Sequence, residues 1–560
     1  MKKALFLLPM LLLSQDTVYY NGKVATLASP STVQAFLVRD GRFLKTGSSE
    51  ALLKEAGPTA RRIDLKGRTV VPGLNDSHTH PIGAALAELD GEVPVMKSIP
   101  DVQAYVKKLA QSQPQGRLIF VPKVYSTRMR ERRYPDRYEL DAVSGDREAM
   151  ADNGYASVLN SKLLIRLGIT RKTPQPANGK IIKDEKGEPT GLILGAQQLL
   201  GSLRADRAFS HEERVRALKT MQAAYNKAGI TSTSDRGQRA DGFRVYQDLH
   251  RRGELTVRSS VTYRIAASGK PADIVREMES IPFTTGFGDE WFRVGPIKTV
   301  VDGGILIGTA YLREPYGMNT HVYGYVDPDY RGVVNVPREN LITMARTANR
   351  LGWQMTSHTT GGGAIDLLLD AYEEVNKEQS IRDRRFLVTH GNFPNADAIA
   401  RAQRLGVLFD VQPQWHHFDG PALGPVFGAE RTKWWLPLRA MFDAGVLAAG
   451  GSDHMIKYDS RASINAYHPF YAMWMTITRK MADGAILGPE QRITREEALR
   501  MWTTHGAYLT FEEKQKGTIE AGKFADFAVL NQDFFTVPED DIRSIEPVLT
   551  VVGGRVVHGQ

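Results

Sequence analysis

The chain has 560 residues, 42% hydrophobic and 24% charged, proportions that fit a globular protein with a large core and exclude a disordered or fibrous one. Its 72 Lys and Arg against 63 Asp and Glu give a net charge of +9. That excess is scattered rather than gathered into a dense basic run, so charge gives no ground for a nucleic-acid or membrane partner. There is no cysteine, which excludes disulfides and thiolate metal sites and leaves imidazole, carboxylate and lysine-derived groups as the available metal ligands.

Met1-Lys2-Lys3 precedes the apolar run ALFLLPMLLL and then Ser14-Gln15, a charged start and an apolar stretch too short to span a bilayer. Residues 1–15 are therefore read as a signal peptide, with the mature protein exported to the periplasm or outside the cell. Leu12 sits at the minus-three position for a cut near Ser14 and departs from the small-residue rule, so a retained N-terminal anchor stays open. Over residues 16–70, DTVYYNGKVATL, AFLVRDGRFLKTG and RRIDLKGRTVVPG are strand-like stretches separated by Asn-Gly, Asp-Gly and Lys-Gly turns. The same style returns over 510–560, in GTIEAGKFADFAVLNQDF and VLTVVGGRVVHG, so the two chain ends are expected to pair in one small β-domain.

Between them, residues 71–509 alternate apolar strands with amphipathic helices, the signature of βα units around a parallel sheet. Ser210 with Glu213 and Thr494 with Glu497 have capping-box spacing, and Gly229, Gly352 and Gly406 each close a helix-like run. The candidate strands are VVPGLNDSH, LIFVPKVY, GITSTSD, TVRSSVTYR, VGPIKTVVDG, WQMTSH, RFLVTH, VLFDVQP and GVLAAGGSD. About eight such units predict an α/β fold of the (β/α)8 barrel type.

His78 and His80 are two apart at the end of VVPGLNDSH, and residues i and i+2 of a strand share a face, so both imidazoles can reach one metal ion. His358, His390 and Asp453 end WQMTSH, RFLVTH and GVLAAGGSD. In a parallel barrel the strand C-termini gather on one face, which makes neighbours of residues distant in sequence. Any one of them also reads as a hydrogen-bonded strand end or a helix cap; four at successive strand ends make coincidence the weaker account. Lys298, in the apolar strand VGPIKTVVDG, carries a charge that is costly to bury. It either reaches solvent or pairs with Asp302, or it is deprotonated and carboxylated into an oxygen ligand. Trp415, His416 and His417 after VLFDVQP, and Tyr311, Arg313 and Tyr316 after Lys298, are candidates for the mouth of a pocket. Arg128, Arg130, Arg132 and Arg133 form a basic cluster that reads as a solvated loop or as a meeting point for an anionic substrate.

Taken as an ordered set, VVPGLNDSHTHP, NSKLLIRLGI, IKTVVDGGILIGTAYLREPY, GWQMTSHTTGGGAID, LVTHGN, GGSDH and KGTIEAGKFADFAVLNQDFF with LTVVGGRVVHG resemble the amidohydrolase superfamily, in its family 3 or YtcJ-like branch, which includes N-substituted formamide deformylases. The resemblance covers nearly the whole mature chain. It implies a (β/α)8 barrel plus a β-sandwich made by both chain ends. It implies His78 and His80 as metal ligands from the first strand, Lys298 as a carboxylated bridging ligand, His358 and His390 as ligands of a second metal, and Asp453 as ligand and general base. The expected cofactor is a divalent metal, zinc first, as one or two ions. The expected reaction is hydrolysis of a carbon–nitrogen bond other than a peptide bond, with a carbamate, ester or lactone hydrolase, or an exported non-catalytic binding protein, as the alternatives. A small-molecule substrate follows, and a homo-oligomer stays open. Three positions depart from the family pattern, all beside the expected substrate pocket: Tyr155 stands where a His is common, TTGGG follows His358 where charged residues are common, and His454 replaces a frequent Trp. Tyr155 and His454 accordingly join Tyr311, Arg313, Trp415 and His416 as candidate substrate contacts.

Overall fold

The computed structural model describes residues 16–89, 91–176, 179–195, 199–200, 203 and 209–559; the expected leader, residues 1–15, lies outside them. Its centre is an eight-stranded parallel sheet of β1 (Leu74–Thr79), β2 (Ile230–Gln238), β3 (Arg258–Arg264), β4 (Phe292–Val300), β5 (Met355–Thr359), β6 (Leu387–His390), β7 (Leu408–Val411) and β8 (Ala448–Gly450), each hydrogen-bonded to its neighbour in that order. The sheet curls until its first and last strands meet just beyond their ends. Thr79 bridges His454, the His80 amide donates to the His454 carbonyl at 3.0 Å, and the Asp453 amide donates to the His78 carbonyl at 2.8 Å. A parallel barrel is covered on its outer face by helices, so its strands are buried along their length, and every residue of β1, β5, β6, β7 and β8 is buried.

The helices start and stop where their end residues dictate. Ser210 with Glu213 and Thr494 with Glu497 form complete capping boxes before the helices His211–Lys227 and Arg495–Met501. Gly352 and Gly406 take the left-handed conformation that ends the helices Arg338–Leu351 and Ala396–Leu405. Among the described residues no helix is long and apolar enough to cross a membrane.

Both chain ends contribute to a pair of small sheets. Four N-terminal strands form one, in the order Arg42–Gly47, Ala35–Arg39, Thr17–Tyr20, Arg61–Asp64. The other is six-stranded and mixed: Arg555–Gly559, Pro547–Val552 and Phe527–Leu530 from the C-terminus continue into Thr69–Pro72, Lys23–Ala25 and Thr32–Val33 from the N-terminus. Tyr19, Phe36 and Phe43 of the first sheet share an apolar cluster with Val70, Phe527 and Val551 of the second.

Two expectations from sequence need correction. VVPGLNDSH is not one strand: Thr69–Pro72 belongs to the six-stranded sheet and Leu74–Thr79 to the barrel, with Gly73 between them. A Cβ on Gly73 would collide with Thr231 Oγ1 and lie 2.9 Å from Asp526 Cβ, so only glycine lets the chain pass from one sheet to the other there. LIFVPKVY is not a barrel strand. Ile119–Pro122 edges a separate five-stranded sheet, with Ala149–Asp152, Ala156–Leu159, Pro189–Leu194 and Lys180–Lys183, inserted between β1 and β2. Its apolar alternation satisfies that sheet as well as it would a barrel, and periodicity alone does not separate the two. The insertion matters to function because Phe120, Pro122, Asp152 and Tyr155 from it stand at the barrel mouth.

Candidate metal centre

A cavity of about 480 Å³ opens at the C-terminal mouth of the barrel, and His78, His80, Lys298, His358, His390 and Asp453 all border it. Residues distant in sequence are brought together because each lies in the C-terminal part of a barrel strand or just after it. His78 lies in β1 and His80 directly after it, at the start of the helix Pro81–Leu86, His78 buried and His80 half-buried at the mouth. Asp453 Oδ1 is 3.3 Å from both His78 Nε2 and His80 Nε2, and one ligand atom from each of the three lies within 4.8 Å of the other two. His358 and His390 adjoin this group through their rings: His390 is 4.8 Å from His78 and 4.5 Å from His358 between centroids.

The backbone is bent to achieve this. His390 and Asp453 have φ of 76° and 52°, the left-handed region that costs a non-glycine residue on the order of 1–3 kcal/mol. Both sit where a strand ends, and the turn aims their side chains into the mouth. Gly451 allows the end of β8 to approach β1: a Cβ there would fall 2.7 Å from His78 Cβ.

Hydrogen bonds behind the imidazoles fix which nitrogen faces the cavity. His78 Nδ1 lies 3.1 Å from Asp410 Oδ1; a carboxylate only accepts, so Nδ1 carries the proton and Nε2 presents its lone pair. The Gln412 amide donates to Asp410 Oδ1 at 3.3 Å, which leaves its Oε1 to accept from His390 Nδ1 at 2.7 Å. His358 donates through Nε2 to the Gly303 carbonyl at 3.2 Å, leaving Nδ1 as its free nitrogen. Asp410 is itself held by Thr389 Oγ1 at 3.0 Å and by Arg236 Nη2 at 3.1 Å.

Electrostatics keep these groups in the forms a metal requires. Burial first, then the charge of Lys298, pushes His358 down to about 3, and burial also takes His78 and His390 well below the ordinary imidazole value. All three are neutral near pH 7. Burial also lowers Lys298 to about 8; Asp410 opposes the shift and Arg236 adds to it.

The residues present fit a divalent metal. His78 Nε2 is a buried lone pair with no hydrogen-bond partner among the described residues, and a buried polar atom is rarely left that way without a ligand. Nitrogen and carboxylate donors without thiolate suit zinc and neighbouring divalent ions.

Of the other residues singled out in the sequence, Tyr155 borders the cavity and stacks on His358 at 6.0 Å. Trp415 lies behind it, stacked on His390 at 4.7 Å. The remaining candidates do not border it, because their side chains are engaged elsewhere. Arg313 pairs with Asp366 at 2.6 Å, and Tyr311 lies beneath Arg331. His416 and His417 bond the carbonyls of Leu487 and Lys480 at 3.0 and 2.7 Å, and the Tyr316 hydroxyl donates to the Ala310 carbonyl at 2.9 Å. His454 accepts from the Tyr225 hydroxyl at 3.0 Å and donates to the carbonyls of Ile456 and Lys457. The suggested pairing of Lys298 with Asp302 does not form. Asp302 accepts from the amides of Tyr311, Thr360 and Gly361 at 2.8–2.9 Å and so ties the loops after β4 and β5 together. Sequence reasoning missed Asp410, Gln412 and Arg236. Their signal was present as charged and polar residues inside otherwise apolar strands, in VLFDVQP and directly after GITSTSD.

A barrel with neutral imidazoles, a lysine and a carboxylate at its C-terminal mouth defines the class of metal-dependent hydrolases. The Amidohydrolase family model matches residues 61–558, and the chain belongs to that family; it is a hydrolytic enzyme. It is 28% identical to the N-substituted formamide deformylase of Arthrobacter pascens, over 96% of this chain and 98% of that one. It is 27% identical to the amidohydrolase YtcJ of Bacillus subtilis (strain 168), over 97% and 99% of the two chains. Among solved structures, a metal-dependent hydrolase from Pyrococcus horikoshii OT3 superposes with a TM-score of 0.69 at 23% identity, covering 94% of this chain and 99% of that one, which supports the fold.

Proposed function

We propose that this enzyme hydrolyses a carbon–nitrogen bond other than a peptide bond, in an N-formyl or N-acyl amine, with His78, His80, Lys298, His358, His390 and Asp453 holding one or two divalent ions, zinc first. The observation that carries the reading is the orientation of the imidazoles: Asp410 and Gln412 hold His78 and His390 with their free nitrogens toward the cavity shared with Lys298 and Asp453. The identity of the Arthrobacter pascens relative supports the choice of bond.

Bound there, a metal polarises a carbonyl and lowers the pKa of water toward neutrality. Asp453 lies at the mouth with Oδ1 between two imidazoles, placed to take the proton of the attacking water and pass it to the departing amine. Lys298, drawn down to about 8, keeps a fraction of free amine near neutral pH. That amine adds to carbon dioxide and loses a proton, giving a carbamate whose oxygens are suited to hold a metal. Tyr155, at the cavity wall beside His358, contacts substrate. The leader read in residues 1–15 supports export; N-terminal sequencing of the protein from its native envelope tests this, and an uncleaved cytoplasmic product would remove it.

Metal analysis of protein purified without chelator, paired with hydrolysis of N-alkylformamides, N-acyl amines, carbamates, esters and lactones, tests the reading of the site. One or two equivalents of zinc, with amide turnover lost on chelation and regained on metal return, is the expected result. Faster turnover of esters or carbamates would move the assignment to those bonds, and protein without metal or turnover would reject it.

A further inference from the structure

A second cavity, of about 420 Å³, lies beside the metal cavity, and Lys123 borders both. The basic cluster of the sequence lines it: Arg128, Arg130 and Arg132 face it together with Lys97 and Lys123, against one acid, Asp483. Its remaining wall is largely apolar, with Met96, Met129, Tyr125, Phe418 and Ile464. The walls come from three places far apart in sequence, the insertion between β1 and β2, the helix after β7 and the segment after β8, so the cavity is a product of the fold rather than of one loop.

The cations divide by their existing bonds. Arg128 is neutralised by Asp419, through Nη2 at 2.7 Å and Nε at 2.9 Å, and its guanidinium lies over the Phe418 and Tyr125 rings at 5.2 and 5.5 Å. Arg132 donates to the Thr127 carbonyl, and Lys123 Nζ reaches the Met455 sulfur at 3.3 Å, on the boundary of the metal cavity. Lys97 and Arg130 are exposed, and neither side chain has a hydrogen-bond or ion-pair partner among the described residues. They are joined through their backbones, the Arg130 amide donating to the Lys97 carbonyl at 2.8 Å, so the two unpaired charges are anchored at one rim. An apolar wall edged by two cations whose side chains pair with none of the described residues matches an apolar chain that ends in a negative charge; the neighbouring carboxylates of Asp101 and Glu131 are engaged by the Lys97 and Ile99 amides at 2.9 and 3.1 Å. Low-dielectric walls strengthen that attraction over the same charges in open water, and a guanidinium offers a carboxylate paired donors.

We propose that this second cavity is the subsite for a carboxylate at the far end of the substrate, joined by an apolar spacer to the group hydrolysed in the metal cavity. The proposal rests on the hydrolase reading for its catalytic end and specifies the substrate class: N-formyl or N-acyl amines that carry a distal carboxylate.

The test compares ω-(formylamino) fatty acids of increasing chain length with N-alkylformamides of matched length, on the holoenzyme and on a K97A/R130A variant. The readout is the ratio of kcat/KM for the acid to that for its neutral partner, which cancels damage common to both. Wild type is expected to favour the acid above a threshold spacer length, through KM, and the preference is expected to fall about tenfold in the variant and to shrink as salt rises. Equal ratios in the two proteins, or a preference independent of spacer length, would overturn the proposal while leaving the hydrolase reading intact. Binding of the unreactive N-methylsulfonyl analogue of the acid, by calorimetry on both proteins, separates the two failures. Weakening of about tenfold in the variant supports the subsite even if no amide is turned over, and equal affinity rejects it.

Discussion

Asp453 and Asp410 are both carboxylates at the barrel mouth, yet the structure gives them different work. Asp453 faces the cavity with Oδ1 3.3 Å from two imidazoles, so exchanging it for an amide removes the proposed proton acceptor while keeping the shape. Asp453→Asn is expected to lower kcat by about 10²–10⁴, read in steady-state assays at matched metal content; full turnover with bound metal would remove it from the mechanism. Asp410 does not border the cavity. It holds the His78 proton on Nδ1, and Asp410→Ala is expected to weaken metal affinity by about 10–100-fold, read by competition with a chelating indicator dye. Asp410→Asn separates charge from geometry: an amide oxygen can still accept from His78 but leaves Arg236 buried without its carboxylate, so only part of the affinity is expected to return. An unchanged metal affinity in Asp410→Ala would mean that ring packing alone orients His78.

At the scale of elements, the first barrel strand leaves the six-stranded sheet through Gly73 alone, and a buried ion pair holds barrel and terminal sheets together beside it. Arg258 at the start of β3 meets Asp526, just before Phe527–Leu530, through Nε at 2.7 Å and Nη2 at 3.0 Å, and its guanidinium lies over the Phe524 and Trp291 rings at 3.8 and 4.6 Å. Asp526 also accepts from the Gly553 amide at 2.7 Å. Removing one partner strands a buried charge, so Asp526→Ala is expected to cost about 3–5 kcal/mol, read as a shift of the urea midpoint; a loss under about 1 kcal/mol, the scale of an exposed pair, would show that water reaches Arg258. None of this was legible in the sequence, because Arg258 and Asp526 are distant charged residues with no local signature. The barrel strands were legible because parallel strands buried on both sides read as short apolar runs closed by turn residues, and because their C-terminal ends converge on one mouth. LIFVPKVY carried the same signal for a different sheet. Asp410 and Gln412 could be seen as odd residues in an apolar strand, but their purpose appears only once His78 and His390 stand beside them.

For the whole molecule, the neutral histidines that suit a metal site also make the fold sensitive to acid. Burial lowers His358 to about 3 and His454 to about 4, and it takes His78, His390 and His416 well below the ordinary value of 6.5. Each of these imidazoles stays neutral in the native state while its unfolded counterpart gains a proton below 6.5. The unfolded state therefore binds more protons between 6.5 and the lowered native values, and the stability that these groups contribute, fully present above pH 6.5, is lost as pH falls through that window. Buried carboxyls act in the opposite sense. Asp76 and Asp302 are pushed up to about 7 by burial, so the native state holds protons that the unfolded chain releases above its ordinary 3.8, and their contribution grows as pH falls toward that value. Burial also lowers His417, His468, His505 and His558 and raises Asp235, so nine imidazoles against three carboxyls leave a net uptake of protons on unfolding, and each net proton is worth about 1.4 kcal/mol per pH unit. The urea midpoint of the metal-free enzyme is accordingly expected to fall steeply from pH 6.5 to 5. A midpoint that stayed level to pH 5 would mean that water reaches the barrel mouth well enough for these rings to titrate in the folded protein as they do in the unfolded one. The same downward shifts of His358, His78 and His390 lead to a second expectation for the native site: acid should weaken the fold before it strips those three rings of their lone pairs.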